Sequence, residues 1–151
     1  NATNYLGHKD NFAIEFSLDE LRAGMRRTLE TLTAGGLRVA VMRDNPYFTY
    51  DIPTCLARSV RHSWYPGGSC AADKSTALSA AVFESEKAGA RGLSNVHFID
   101  LTDRLCQGDV CWAVQTGAII YRDNHHLTGN FADGLMPILE ANLLAILNAP
   151  R

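Results

Sequence analysis

The segment 17–42 constrains the fold most, because it predicts a helix that is followed at once by a strand. Ser17 and Glu20 form a capping box, in which each side chain satisfies a backbone N–H at the start of a helix. Apolar residues then recur at helical spacing until two glycines end the pattern: Leu18, Leu21, Met25, Leu29, Leu32, then Gly35 and Gly36. The run 37–42 predicts a strand, and a helix, a glycine turn and a strand in quick succession indicate an α/β fold.

The rest of the chain continues this alternation of helices and strands. The sequence predicts a second helix over 75–91 and a strand over 96–100. A small hairpin is predicted around Gly117. The apolar pattern of 131–147 predicts a last helix, with a kink or restart at Pro137 because proline removes a backbone donor.

Length and composition limit the classes of function. The chain has 151 residues, of which 46% are hydrophobic and 20% charged, which is typical of one globular domain. A formal net charge of −2 gives no reason to expect a nucleic acid or an anionic membrane surface as partner. No apolar run approaches the roughly 18 residues expected of a transmembrane helix. Since the sequence starts at Asn1 rather than methionine, we expect a processed or truncated N-terminus from which a targeting segment has been lost.

Four cysteines predict two local disulfides, Cys55–Cys70 and Cys106–Cys111. The first pair would tie down the irregular stretch 43–74, since long loops in compact domains are usually stapled or functional. A zinc site is less favoured, because no Cys-x-x-Cys pair or nearby histidine pair accompanies these cysteines. Free buried thiols are the remaining alternative. Disulfides would place the chain in an oxidising compartment.

The segment 121–128 carries Asp123 three places before His126. An apolar run leads into it and a helical pattern follows, which is the arrangement expected at the carboxyl edge of an α/β sheet, where ligands bind. A carboxylate can hold an imidazole in one tautomer while the other ring nitrogen acts as general base. From the spacing alone, however, a helix cap at Asp123 with solvated histidines is the more common explanation.

The block 121–128, Tyr-Arg-Asp-Asn-His-His-Leu-Thr, resembles the closing block of SGNH hydrolase-like domains, Tyr-x-Asp-x-x-His-Leu-(Ser/Thr). In particular it is similar to the SGNH domain fused to membrane acyltransferases that O-acylate bacterial surface polysaccharides. The resemblance implies that Asp123 orients the base and that His126, which precedes the Leu-Thr pair, is the base. His125 is then an intervening residue. Asn4 is a candidate oxyanion donor, although a plain loop asparagine is the more common role for such a residue.

The resemblance implies a three-layer α/β/α, flavodoxin-like sheet that is mostly parallel. The family's nucleophile lies in a Gly-Asp-Ser block after the first strand, and no such block occurs in this sequence. We therefore expect residues 1–151 to be the C-terminal portion of one SGNH hydrolase-like domain, with the sheet incomplete at its N-terminal side. The expected partner is the missing upstream segment or a self-associated copy that covers the open edge, and the chain alone should be inactive.

The activity implied by the resemblance is transfer of an acetyl group, through an acyl-enzyme, to hydroxyls of a cell-surface polysaccharide. A membrane acyltransferase portion would supply the acetyl group, and a glycan would accept it. The resemblance places the domain in the periplasm, or on the extracytoplasmic side of a bacterial inner membrane. We expect no cofactor and no metal.

Two alternatives to acyl transfer stay open from the sequence. A carbohydrate esterase would use the same residues and pass the acyl group to water. A non-catalytic glycan-binding module would use the aromatic residues of 43–74 as a stacking wall, although these aromatics are more simply explained as a small core under the loop.

Overall fold

The computed structural model of the chain describes residues 17–61 and 70–149. Asn4, and with it the predicted oxyanion donor, lies outside the described residues. The described chain divides into two compact units. The first unit comprises 17–43, 79–100 and 140–149, and the second comprises 44–61, 70–78 and 101–139.

The first unit begins with helix α1, Leu18–Ala34, and its predicted capping box is present. Ser17 Oγ accepts a hydrogen bond from Glu20 N, and Glu20 Oε2 accepts one from Ser17 N, both at 3.1 Å. The helix ends at two glycines, and the second, Gly36, has a φ of 78°, a conformation that side chains with a Cβ rarely adopt. Local sequence signals therefore set both ends of α1.

Strands β1, Val39–Met42, and β3, Val96–Ile99, pair in parallel, with Val39 opposite Val96. Helix α4, Ala80–Gly89, lies in the connection between them, as expected of an α/β crossover. The ends of the two strands are tied together, since Arg43 N donates to Ile99 O at 2.8 Å and the Arg43 guanidinium pairs with Asp100 Oδ2 at 2.9 Å. The α/β class is thus confirmed.

Helices α1 and α4 pack closely because α4 presents a glycine at the contact. A Cβ on Gly89 would lie 2.8 Å from the backbone oxygen of Arg22 and 3.2 Å from Met25 Cβ. Two hydrogen bonds reinforce this helix pair: Ser85 Oγ donates to Leu18 O at 2.6 Å, and the Arg26 guanidinium donates to Arg91 O.

Helix α6, Gly129–Asn148, is the last element, and its residues from Glu140 onward belong to the first unit. The Arg38 guanidinium donates to two of its terminal carbonyls, those of Ile146 and Leu147, and to the carbonyl of Ala149 just after the helix. These bonds satisfy carbonyls that a helix end leaves unpaired, and they place a positive charge at the negative end of the helix dipole. By length and composition alone α6 is apolar enough to cross a membrane, which is weak support for a span.

The second unit is built around a buried apolar cluster. Its fully buried side chains include Phe48, Ile52, Ile120 and Tyr121. Helix α2, Ile52–Arg61, packs on this cluster through Ile52. Short helices α3, Lys74–Ala77, and α5, Thr102–Leu105, also contribute buried residues.

Two small antiparallel sheets complete the second unit. The first contains β2, Ala71–Asp73, β5, Val110–Trp112, and β4, Cys106–Gln107, in that order. The second is the predicted hairpin, formed by β6, Val114–Gln115, and β7, Ala118–Ile119. The two residues of its turn, Thr116 and Gly117, have positive φ values of 47° and 81°, as such tight hairpins require.

Both predicted disulfides are present, Cys55–Cys70 and Cys106–Cys111. The first joins α2 to the residue before β2, and the second links directly opposed residues of β4 and β5. All four cysteines lie in or against the buried cluster of the second unit. This unit is therefore held by covalent links as well as by apolar packing.

Two predictions about secondary structure were wrong. The stretch 43–74 is not irregular throughout, because 52–61 is helical. The predicted helix 75–91 is two helices, α3 and α4, separated at Leu78, whose extended backbone places its side chain in the core of the second unit. Ser79 then caps α4 by accepting a hydrogen bond from Val82 N at 3.3 Å.

The described strands do not form one mostly parallel sheet. Of the three sheets in residues 17–61 and 70–149, only the β1–β3 pair is parallel. Short links favour antiparallel pairs elsewhere, since two residues suffice to join antiparallel strands whereas a parallel pair needs a crossover. The complete three-layer arrangement stays a prediction.

Candidate active site

The predicted Asp–His block forms a small loop, 122–126, whose base is closed by backbone hydrogen bonds. Arg122 N donates to His126 O at 2.9 Å, and Thr128 N donates to Ile120 O at 2.8 Å. These bonds flank the isolated antiparallel bridge between Tyr121 and Leu127. The loop is therefore held at a fixed base rather than being free at both ends.

Tyr121 anchors the start of this loop in the core. Its side chain is fully buried, with its ring centroid 4.9 Å from that of Phe48 in an edge-on arrangement, and its backbone bridges to Leu127. Burial raises the pKa of its hydroxyl, because the charged form would lose its solvation. Within the part of the chain that the structure describes, this hydroxyl has no hydrogen-bond partner.

Asp123 organises the loop through both of its carboxylate oxygens. Oδ1 accepts hydrogen bonds from His125 N at 2.9 Å and from His126 N at 2.8 Å, as in the turns that aspartate side chains commonly form. Oδ2 contacts His126 Nδ1 at 2.6 Å, a length typical of a charge-assisted hydrogen bond. Aspartate in this position therefore sets the backbone of the loop and the orientation of the imidazole together.

The hydrogen bonds keep the Asp123 carboxylate ionised. Desolvation by burial acts to raise its pKa, but the two backbone N–H donors and the His126 side chain outweigh desolvation and lower the pKa well below its usual value. Because an ionised carboxylate only accepts hydrogen bonds, the nitrogen facing it must be the donor.

His126 is consequently held in one tautomer when neutral. Nδ1 carries the proton toward Asp123, which leaves the lone pair on Nε2. The side chain is 52% exposed, and among the described residues no hydrogen bond occupies Nε2. The imidazole is thus oriented by a carboxylate on one side and open to a reacting group on the other, which is the arrangement of a general base.

The second histidine of the block packs against the first. The ring centroids of His125 and His126 are 3.8 Å apart, and Tyr47 lies on His125 at 5.7 Å. His125 Nδ1 contacts Asn124 Oδ1 at 2.7 Å, and Asn124 O accepts a hydrogen bond from Phe48 N at 2.8 Å. Sequence reasoning treated His125 as a spacer and did not find this stack, which the adjacency of two histidines would have suggested.

One group of residues in the described chain has the composition of a metal site. Ligand atoms of Asp123, His125 and His126 lie within 4.8 Å of one another. Carboxylate oxygen and imidazole nitrogen are both ligands of zinc and of related transition metals.

The structure brings together the two residues that the sequence predicted as a dyad, Asp123 and His126. The dyad lies in the second unit, on a loop that leaves the buried cluster through Tyr121. Ser59 of α2 donates its hydroxyl to Leu56 O at 2.8 Å, as helical serines commonly do.

Comparison with known families identifies the family of the chain. A family model described as "SGNH domain (fused to AT3 domains)" matches residues 2–141, which include the whole loop. The chain belongs to this SGNH family. No curated protein and no solved structure matches the chain.

Membership supports a general acyl-transfer or hydrolase role, and the fusion in the family's description supports a membrane acyltransferase portion as partner. The two disulfides of this SGNH chain agree with an extracytoplasmic location, because disulfides persist in oxidising compartments.

Proposed function

We propose that this SGNH chain is part of a serine acyl-transfer domain that moves an acetyl group to hydroxyls of a cell-surface polysaccharide. Asp123 is the orienting acid and His126 the general base. The observation that carries the proposal is the 2.6 Å contact between His126 Nδ1 and a carboxylate oxygen of Asp123, whose other oxygen is held by two backbone N–H groups.

The chemistry follows from the lone pair on Nε2 of His126. A serine hydroxyl gives its proton to Nε2 as its oxygen forms a bond to the acetyl carbonyl carbon. The imidazolium then returns this proton to the departing donor oxygen, and an acyl-enzyme remains. In the second half, a glycan hydroxyl gives its proton to Nε2, attacks the acyl-enzyme and receives the acetyl group, and the proton returns to the serine oxygen.

The nucleophile of this reaction is a serine in a Gly-Asp-Ser block, which the 151 residues do not contain. We place it in an upstream segment of the same domain, since a self-associated copy of these 151 residues would cover the open sheet edge but would supply no such serine. The two-stranded β1–β3 sheet supports this placement, because within residues 17–61 and 70–149 neither strand has a further partner. Such a segment would also extend the sheet toward the three-layer arrangement, with Asn4 as a candidate oxyanion donor.

The location and the partners of the reaction follow the family. A membrane acyltransferase portion would deliver the acetyl group, and the glycan acceptor would approach on the periplasmic side of a bacterial inner membrane. The reaction as written needs no cofactor and no nucleic acid.

The test compares acetyl transfer by the complete protein with that of a His126→Ala variant, using an acetyl ester as donor and the glycan as acceptor. General-base catalysis contributes roughly 10²- to 10⁴-fold, so we expect the variant to lose at least about 100-fold in kcat. Ser59→Ala, which changes a helical hydroxyl of the same unit, is the matched control and should retain wild-type turnover. Unchanged turnover in His126→Ala would contradict the proposal.

The same experiment separates transfer from its alternatives. Acetyl groups on the glycan indicate a transferase, whereas acetate released to water without glycan product indicates a carbohydrate esterase that uses the same dyad. Glycan affinity without turnover of any ester indicates a binding module. Against the binding module, Phe48 is fully buried and the Tyr50 hydroxyl bonds to Ala71 O at 2.8 Å, so these two aromatics belong to the core.

A further inference from the structure

Two imidazoles with the same tautomer stand next to each other in the loop 122–126. His126 Nδ1 faces an oxygen of the ionised Asp123, and His125 Nδ1 faces Asn124 Oδ1, which can only accept. Each Nδ1 is therefore the donor in its contact. In the neutral form, both rings then keep their lone pair on Nε2, the nitrogen that binds metals when Nδ1 is held by a partner.

The Asp123 carboxylate lies at the Nδ1 edge of both rings. His126 Nδ1 is 2.6 Å from Asp123 Oδ2, and His125 Nδ1 is 3.7 Å from Asp123 Oδ1, so both rings turn Nδ1 toward one carboxylate. The ring centroids are 3.8 Å apart with planes inclined by 38°. With both Nδ1 atoms at Asp123, the Nε2 atoms are the ring nitrogens left for a ligand, and the two rings that carry them are in contact.

We infer that His125 and His126 chelate a divalent transition-metal cation such as Zn²⁺ through their Nε2 atoms. Zinc–nitrogen bonds of about 2.0–2.1 Å in a tetrahedron require two nitrogens about 3.3 Å apart. One ligand atom from each of Asp123, His125 and His126 lies within 4.8 Å of the other two, so the cluster is compact enough for a single ion. Because both side chains are about a third or more exposed, their χ angles are free to rotate, and the proposal requires such rotation to set the two Nε2 atoms at this spacing.

The surrounding groups are those of a metal site. Metal-bound histidines almost always donate their second N–H to a carboxylate or a carbonyl-type oxygen, which fixes the ring and makes the ligand more basic. Asp123 serves His126 in this way, and Asn124 serves His125. Two imidazoles leave further coordination positions to water. Imidazole ligands suit zinc, nickel and copper, whereas Mg²⁺ demands oxygen ligands in an octahedron and should not bind here.

Metal binding has a consequence that rests on the proposed function. The cation would occupy the lone pair of His126 that accepts the serine proton, so it would inhibit acyl transfer reversibly. Binding itself is measured without any turnover, and its failure is therefore distinguishable from failure of the proposed function.

The test is calorimetric titration of the full chain with Zn²⁺, and separately with Mg²⁺. We expect one zinc ion per chain, no response to Mg²⁺, and at least a roughly tenfold loss of zinc affinity in both His125→Ala and His126→Ala, by analogy with the losses seen on removing outer partners of metal ligands. His97→Gln, which changes a histidine on β3 in the first unit, is the matched control and should bind zinc like the wild type. Absence of zinc binding, or unchanged affinity in either alanine variant, would overturn the site.

A second measurement identifies the ligand atoms in the unmodified chain, so it does not depend on a variant that folds correctly. In long-range ¹H–¹⁵N spectra of the unmodified chain, Zn²⁺ should shift the Nε2 resonances of His125 and His126 while both Nδ1 atoms keep their protons. Loss of the Nδ1 protons, or shifts confined to other histidines, would contradict chelation through Nε2.

Discussion

The two units of this SGNH chain differ in how their interiors are held. Among the described residues, the second unit has a cluster of twelve buried apolar residues and both disulfides. The first unit buries four apolar residues: Leu29, Phe83, Ala90 and Ile99. The first unit also leaves seven large apolar side chains exposed: Leu18, Leu32, Leu37, Met42, Leu143, Leu144 and Leu147.

This difference places the dyad on the better-supported unit. A catalytic pair must be held close to its productive geometry by residues that are themselves fixed. Tyr121 and Ile120, which lead into the Asp123 loop, are fully buried in the twelve-residue cluster. The exposed apolar residues of the first unit are the ones that the proposed upstream segment would cover.

The largest expected effect is on the core of the second unit. Phe48→Ala removes a fully buried ring that contacts Tyr121, and such truncations cost about 3–5 kcal/mol. Leu147→Ala is the matched change in the first unit, and since Leu147 is 63% exposed it should change stability by less than about 0.5 kcal/mol. Urea unfolding followed by near-UV circular dichroism measures both, and equal losses would remove the contrast between the units.

The disulfides come next. A disulfide stabilises more when it closes a longer loop, so the two should differ. Cys55 and Cys70 are 15 positions apart in the sequence, and replacing both by alanine should lower the free energy of unfolding by about 3 kcal/mol. Cys106 and Cys111 are 5 positions apart, and replacing both should lower it by about 2 kcal/mol. Urea midpoints of the two double variants give the comparison, and a larger loss for the shorter loop would go against it.

The smallest of the stability effects concerns the helix pair of the first unit. Gly89→Ala would place a Cβ 2.8 Å from the Arg22 backbone oxygen, so α1 and α4 must separate, at a cost of about 1–3 kcal/mol. Gly24→Ala in α1 is the control, because its Cβ would meet only the end of the Arg27 side chain at 3.8 Å. Alanine there should stabilise by up to about 1 kcal/mol through helix propensity. Thermal unfolding that ranks the two variants in the opposite order would show that the close contact is unimportant.

Features encoded by local chemistry were predictable from the sequence. The capping box defined the start of α1, alternating β-formers defined β1 and β3, and the short spacing of Cys106 and Cys111 indicated their link. The Asp123–His126 contact belongs to the same class, because three residues of loop are enough to bring the side chains together.

Features that depend on competing signals were not predicted. Helix α2 was missed within the stretch 43–74, although its Pro53 stands in the first turn, where a helix tolerates proline. The cap was also present in the sequence, since Asp51 Oδ1 accepts hydrogen bonds from Thr54 N at 2.9 Å and from Thr54 Oγ1 at 2.6 Å. Leu78 ends α3 because burial of its side chain overrides the helical pattern around it, which no local signal reveals.

The central claim is that the Asp123 carboxylate holds the His126 imidazole as a base, and the tautomer of His126 tests it most directly. In Asp123→Asn the amide oxygen should take the place of Oδ1, which receives two backbone N–H groups, so the amide NH₂ faces Nδ1. Imidazole ¹⁵N spectra should then show the His126 proton on Nδ1 in the wild type and on Nε2 in the variant. A wild-type proton on Nε2, or the same tautomer in both proteins, would contradict the account.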